Sequence, residues 1–329
     1  MKVITVKDND EWRAIRKKYV GGSEIAGLFG LSPYVTRFGL WNIKAGNVPE
    51  AEPDDNRIQA GNFMEPAIAA WASKRWETDL RKFHGYCPHE TVAGMGCTPD
   101  YINADATLSV QIKNVDGLEF YKLPQWEAEG DVLTQAPMHI LLQCQHELAC
   151  TGIKHGWLVV CVGGNRLLRM EIEPRPATIA KLETEVIAFW ESIKAGAEPK
   201  PDFQYDADTI AALNSEVCAG KLLDLSTNNR AHEVAANWIA GKAAEKAGAA
   251  LVDESKAELI QLFGDAEIIT IGDILIKSLV VKGSPGKKIT AGMVGMMIGE
   301  RKGYREFTIR TKGRVKPCQA KSLKRNRAM

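Results

Sequence analysis

Thr98-Pro99-Asp100, followed after ten residues by Gln111-Ile112-Lys113, is the pattern with the most chemistry in it. Alternate side chains of a strand share a face, so a strand over 108–113 points Gln111 and Lys113 the same way and sends Ile112 into the core. A turn after Asp100 folds its carboxylate back beside them. A carboxylate, a second oxygen donor and a lysine at one strand end fit metal-assisted phosphodiester hydrolysis. The oxygens would hold Mg²⁺, which polarises the phosphate and lowers the pKa of an attacking water, while the lysine orients that water or stabilises the developing charge. An exposed turn Asp ahead of a solvated strand face is the plain alternative, and spacing alone favours it.

A second carboxylate comes from a helix expected over 62–76. Glu65 shares its inward face with Gly61, Ile68, Ala69 and Ala72, and an inward carboxylate is costly unless paired or metal-bound. The alternative is a capping box, with Asn62 as N-cap, Glu65 three residues on and Pro66 in the first turn.

The elements that must position these groups alternate. Helices are expected over 10–20, from an N-cap at Ser23 to Gly30, over 36–45, 62–76, 139–151 and 176–195; strands over 82–86, 90–94, 108–113, 155–162 and 167–172. That order predicts a mixed α/β domain, a central sheet flanked by helices, over 1–203. A Pro-containing polar linker at 199–208 separates it from a second region, 204–329. This region is helical over 208–264, with Leu213, Leu222, Leu223, Trp238, Leu251, Leu259, Ile260 and Phe263 as packing positions. A hairpin over 267–271 and 274–281, a last strand at 304–310 and a basic tail complete the chain.

Composition narrows the classes. At 329 residues, 45% hydrophobic and 25% charged, the chain is that of an ordinary globular protein of about two domains, at roughly 150 residues each. Its seven Cys are scattered without a close CxxC pair, which argues against a disulfide framework. His84, Cys87 and His89 cluster but lack a fourth zinc ligand at a conventional spacing. The longest apolar run, 157–162, is too short for a bilayer, and the N-terminus shows no targeting core, so a cytosolic protein without membrane contact is expected. The net charge of +1 argues, taken alone, against a nucleic-acid partner. It hides a split: residues 301–329 hold eleven Lys/Arg and one acid, Glu306, for +10, and residues 1–300 hold 31 basic and 40 acidic residues, for −9. A disordered solubilising end and a nucleic-acid contact both fit such a tail.

Six motifs in order carry a resemblance: Gly21-Gly22-Ser23-Glu24-Ile25, Gly30-Leu31-Ser32-Pro33-Tyr34 with Leu40-Trp41, Gly61-xxx-Glu65-Pro66, Thr98-Pro99-Asp100, Gln111-Ile112-Lys113 and Gln143-Cys144-Gln145. Over roughly residues 10–203 the chain resembles the YqaJ-type viral recombinase family, phage-type exonucleases related to lambda-phage exonuclease within the PD-(D/E)XK nuclease superfamily. The resemblance implies a restriction-endonuclease-like core and Mg²⁺-dependent degradation of linear double-stranded DNA from a 5′ end, with Mn²⁺ as a substitute. It further implies a single-strand annealing recombinase as partner, a bacterial host cytoplasm and a phage or prophage origin. A homo-oligomer is open, since lambda exonuclease is a ring, but residues from 204 have no counterpart there.

Placed residue by residue, Asp100 matches the metal-binding Asp, Lys113 the catalytic Lys, Glu65 the helical acid and Gln111 the acidic ligand of the (D/E)xK element, with the Ile112 carbonyl beside it. Gln143 and Gln145 match the glutamines bordering the site, with packing amides as their alternative. Ser23 and Arg16 are similar to the pair that binds a 5′-terminal phosphate; a hydroxyl, helix-start N–H groups and a guanidinium make an anion site. An N-cap is the alternative for Ser23, and Arg13, Lys17 and Lys18 are alternatives to Arg16. The departure is Gln111, whose neutral carbonyl gives a metal less than a Glu would. A DNA-binding or assembly protein with a degenerate site, or an endonuclease that cuts internally, therefore stays open. Tyr34, Trp41, Trp71, Trp126 and Trp157 read as core or rim packing before base stacking, and Trp126, in the polar insertion 123–134, is the best candidate among them for DNA contact.

Overall fold

Helix α1 (Asn9–Arg16) begins where the Asp8 carboxylate accepts from the Glu11 N–H at 2.8 Å, and Lys17–Tyr19 turn away after it. In this computed structural model, which describes residues 1–50, 56–266, 268–271 and 274–277, the segment after Ser23 is a short 3₁₀ helix, Ile25–Phe29. Its N-cap position is Glu24, with no side-chain cap. Ser23 is therefore not an N-cap. Gly30, at φ 66°, ends the turn. Helix α2 (Arg37–Ala45) is capped by Thr36, whose hydroxyl accepts from the Gly39 N–H at 2.9 Å.

Helix α3 (Asn56–Arg75) begins six residues before the expected start, so Asn62 and Pro66 lie inside it and the capping box does not form. Strands β1 (Leu80–Lys82), β2 (Cys87–Pro88), β3 (Gly96–Cys97), β4 (Tyr101–Asn103) and β5 (Leu108–Val115) follow. The strand expected over 90–94 is absent. Gly94, at φ 80°, packs under Trp190 and gives its carbonyl to the Val20 N–H (2.7 Å) and Trp190 Nε1 (2.8 Å), which bends the chain between β2 and β3.

After α4 (Gly117–Lys122), the polar insertion forms a hairpin, β6 (Glu127–Glu129) and β7 (Val132–Gln135). Helix α5 (Met138–Thr151), strands β8 (His155–Val162) and β9 (Arg166–Ile172), and helix α6 (Pro176–Lys194) complete the expected order. The seven strands form one mixed sheet in the order β1-β4-β5-β8-β9-β7-β6. Strands β5 and β8 are parallel, joined through α5, and β8 pairs antiparallel with β9. The structure thus has the α/β architecture that the sequence predicts.

Both sheet faces are covered. Ile68, Ala69 and Ala72 of α3 pack on Val110 and Ile112, and Ile140, Cys144 and Leu148 of α5 pack on Leu158, Val160 and Leu168. A third cluster joins Val20, Ile25, Leu40, Trp41 and Met95 to Leu182, Val186 and Phe189 of α6. It anchors the Gly21-Gly22 turn.

The chain divides into two compact units, Met1–Asn214 and Ser215–Met329. The first runs past residue 203 because buried Asp206 accepts from the Asp202 N–H (2.7 Å) and from the Thr36 hydroxyl, which holds α7 (Ala207–Leu213) in that unit. The second contains α8 (Asn229–Phe263) and the antiparallel hairpin β10 (Ile268–Ile271) and β11 (Ile274–Lys277). The packing expected of Leu222, Leu223, Leu251 and Ile260 does not occur among the described residues. All four are exposed: Leu222 and Leu223 lie in coil before α8, and Leu251 and Ile260 lie on a long helix whose apolar residues are spread around it and give no single face to bury. Leu213, at the end of α7 in the first unit, is exposed too. The strand expected at 304–310 and the basic tail lie outside the described residues. No helix among the described residues is long and apolar enough to cross a membrane.

Phe189 is fully buried where α6 meets the third cluster. Phe189→Ala is expected to lower unfolding stability by about 3–5 kcal/mol, measured by urea denaturation.

Candidate active site

Strand β5 sits between β4 and β8, and its alternation divides the site. Ile112 packs with α3, while Gln111 and Lys113 face α5, with Gln111 only 4% exposed. Asp100 precedes β4, which pairs antiparallel with β5, and so reaches the same strand. Its Oδ2 accepts from the Ile112 N–H at 2.8 Å and from Gln111 Nε2.

From Asp100 the bonds run as a chain of amides. Gln143 Nε2 donates to Gln111 Oε1 at 2.8 Å and to Glu147 Oε1 at 2.9 Å, and Lys113 Nζ donates to Gln143 Oε1 at 3.1 Å. Glu65 reaches the site from α3 and pairs with Lys82 Nζ, which also lies 5.2 Å from the Tyr101 ring centroid. The structure therefore gathers Asp100, Gln111, Ile112, Lys113 and Gln143, with Glu65 at the edge beside Lys82.

Burial raises two carboxyls here. Asp100 is pushed up to about 6 by desolvation, with Lys113 pulling the other way, and Glu147 to about 8 by desolvation and by the nearby Asp100. As a donor set the residues fit a hard divalent cation: two carboxylates, an amide and the Ile112 carbonyl are all oxygen ligands. The Gln111 amide must then present Oε1 instead of the NH₂ that now faces Asp100, and Gln143, its amide partner, must turn with it. Among the described residues no three His, Cys, Asp or Glu side chains gather, so such an ion would be held with little formal charge.

A second cluster lies beside the first. Arg16 Nη2 donates to Ser23 Oγ at 3.4 Å and to Glu24 Oε1 at 3.0 Å, and the guanidinium sits 5.1 Å from the Trp12 ring centroid. Gly22 joins the clusters by close approach. A Cβ there would stand 3.2 Å from both Gln143 Cγ and Glu147 Oε1, so the glycine lets the Ser23 turn lie against α5.

Two expected residues fall elsewhere. Gln145 is buried and ties α5 to the segment before α6, with Nε2 donating to the Glu173 carbonyl and Oε1 accepting from the Arg175 N–H. It is the packing amide of the two alternatives. Trp126 is 7% exposed and stacks on Phe120 at 5.6 Å, so the insertion folds back as a hairpin and offers no indole face to DNA. Tyr34, read as packing, is instead 83% exposed, in edge contact with His139.

Sequence reading missed four residues. Glu147 had a signal, being four residues after Gln143 on one helix face. Glu24 stood unassigned inside the Gly-Gly-Ser-Glu motif. Lys44 and Lys82 had none, since only tertiary packing brings them to Glu24 and Glu65.

Comparison with known proteins gives three findings. Residues 11–154 match the family model described as the YqaJ-like viral recombinase domain. A Bacillus subtilis (strain 168) protein, "Uncharacterized protein YqaJ", is 26% identical over 225 residues, 67% of this chain and 68% of that one. Among solved structures, an alkaline exonuclease from Laribacter hongkongensis aligns at 23% identity and TM-score 0.46, over 62% of this chain and all of the other. A putative exonuclease from Eubacterium rectale aligns at 11% and 0.43, over 70% and 99%.

The raised carboxyls set a pH dependence. A folded carboxyl that holds its proton more tightly than the unfolded chain stabilises the fold below its ordinary value, near 4.5 for Glu, and loses that contribution as pH rises through its folded value. Urea midpoints are expected to fall between pH 5 and 8.5, and Glu147→Gln to flatten the fall. An unchanged slope in the variant would assign the effect to another group.

Proposed function

We propose that this chain, whose residues 11–154 match the model of the YqaJ-like viral recombinase domain, is a metal-dependent deoxyribonuclease. On this reading it degrades linear duplex DNA from a 5′ end and exposes a single strand for an annealing recombinase. The observation that carries the reading is the continuous hydrogen-bonded path from Lys113 through Gln143 and Gln111 to Asp100. It sets a lysine and a carboxylate around one small volume between β5 and α5.

Asp100, Glu65, Gln111 and the Ile112 carbonyl would hold Mg²⁺, or Mn²⁺ in its place. When bound, such an ion polarises the scissile phosphate and lowers the pKa of a water. Lys113, oriented by Gln143, holds the attacking water in line with phosphorus and stabilises charge on the phosphate oxygens. Arg16 and Ser23 receive the terminal phosphate, and their attachment to α5 through Gly22 sets a fixed offset between the end and the scissile bond. A fixed offset from a chain end is the physical content of exonuclease action.

One observation favours a second reading. The NH₂ of Gln111 faces Asp100, where an acid would face a metal. On that reading Gln111 leaves the site degenerate and the chain binds DNA without cutting it.

Purified protein incubated with Mg²⁺ and linear, nicked and closed circular duplexes separates these readings. Nucleotide release from linear DNA alone is expected, with Lys113→Ala reducing it roughly 10²–10⁴-fold. Cut closed circles would replace the exonuclease with an endonuclease. Inactivity relieved by Gln111→Glu would identify a degenerate site, and full activity in Lys113→Ala would refute the site assignment.

A further inference from the structure

The buried ionic cluster behind Arg16 does more than hold a loop together. Glu24 is almost completely enclosed, and its carboxylate binds three donors: Arg16 Nη2 at 3.0 Å, Lys44 Nζ at 2.9 Å and the Gly21 N–H at 2.8 Å. The Lys44 side chain is 1% exposed, and its Nζ also donates to the Arg16 carbonyl at 3.1 Å. Burial raises the Glu24 carboxyl, but Lys44 and Arg16 together hold it below its ordinary value. Glu50, with its side chain 34% exposed, lies 3.5 Å from the same Arg16 Nη2.

The charges have a definite arrangement. A buried ion pair costs desolvation that an apolar pair of similar volume would avoid, so this cluster is an expensive way to pack a turn. Glu24 alone beneath Arg16 would fix the guanidinium but cancel its charge. Lys44 supplies the second positive charge from the inner side, so that Glu24 positions Arg16 while the outward field of the trio stays at +1. Of the two acids on Arg16 Nη2, Glu50 is the exposed one, so it is the carboxylate that an incoming anion can replace without uncovering a buried charge.

Resting on the reading of Arg16 and Ser23 as an end-phosphate pocket, we propose that Glu24 and Lys44 are its positioning residues. Lys44 keeps the charge of Arg16 available to a terminal phosphate monoester, and Glu50 is the carboxylate that this phosphate displaces. The pocket is then selective for a doubly charged end group, because a hydroxyl end brings no charge to Arg16, and Glu50 tempers that preference by competing for the same nitrogen.

Fluorescence anisotropy of the full chain, in EDTA, with duplexes ending in 5′-phosphate or 5′-hydroxyl gives an affinity ratio free of cleavage. Wild type is expected to prefer the phosphate end. Lys44→Met should lower the ratio about tenfold by leaving Glu24 to neutralise Arg16. Adding Glu24→Gln to Lys44→Met should restore most of it, and Glu50→Gln, at the exposed rim, should raise it. Thermal melting of each variant separates loss of fold from loss of preference. An unmoved ratio in Lys44→Met, or no recovery in the double variant, overturns the proposal while leaving the pocket standing if Arg16→Ala abolishes the preference. An unmoved ratio in Arg16→Ala refutes the pocket itself, and this inference with it.

Discussion

Two enclosed carboxyls, Asp100 and Glu147, on the α5 side of β5 impose the constraint around which the first unit is organised. A polar group out of water must be hydrogen-bonded, and here the partners come from two elements. The Ile112 N–H and the Gln111 amide are supplied by β5, the Gln143 amide by α5 and the Lys113 amine by the end of β5. This demand fixes the height of α5 over the sheet. It also bears on Gly22, where the Ser23 turn approaches α5 so closely that a Cβ would press on Gln143 and Glu147 at 3.2 Å. The same low-dielectric seam holds the carboxyls above their ordinary values.

Charge is organised at the scale of this seam, not of the whole chain. Acids face β5 and α5, while Arg16, Lys44 and Ser23 gather a few residues away behind the Gly21-Gly22 turn. A net charge of +1 averages these poles with a basic end of +10 and says little about partners. In the proposed function the first cluster would meet the scissile bond and Arg16 with Ser23 the terminal group.

Much of the first unit was legible in the sequence because its signals are local. Thr36 caps α2, Gly46 ends it, and the parallel strand β8 is a continuous apolar run. Errors arose where distant residues decide the backbone. Residues 90–94 look extended, but Trp190, far along the chain, packs on Gly94 and turns them. Trp126 lies in a polar stretch, but Phe120 and the hairpin bury it. In the second unit the leucines of α8 suggested packing, yet apolar residues spread around a helix do not specify which side is buried.

The sequence by itself determined the α/β order of elements and the alternation that turns Gln111 and Lys113 to one face, because strand period and helix caps are properties of short segments. It also held the six ordered motifs. Only the tertiary structure decided that Gln143 bonds Gln111 while Gln145 packs elsewhere, that Glu147 shares the seam, and that Lys44 and Lys82 lie against Glu24 and Glu65. The physical reason is that these are contacts between elements. Which amide meets which carboxylate depends on the crossing of α5 over β5 and of α2 against the Ser23 turn, geometry that no single stretch of sequence contains.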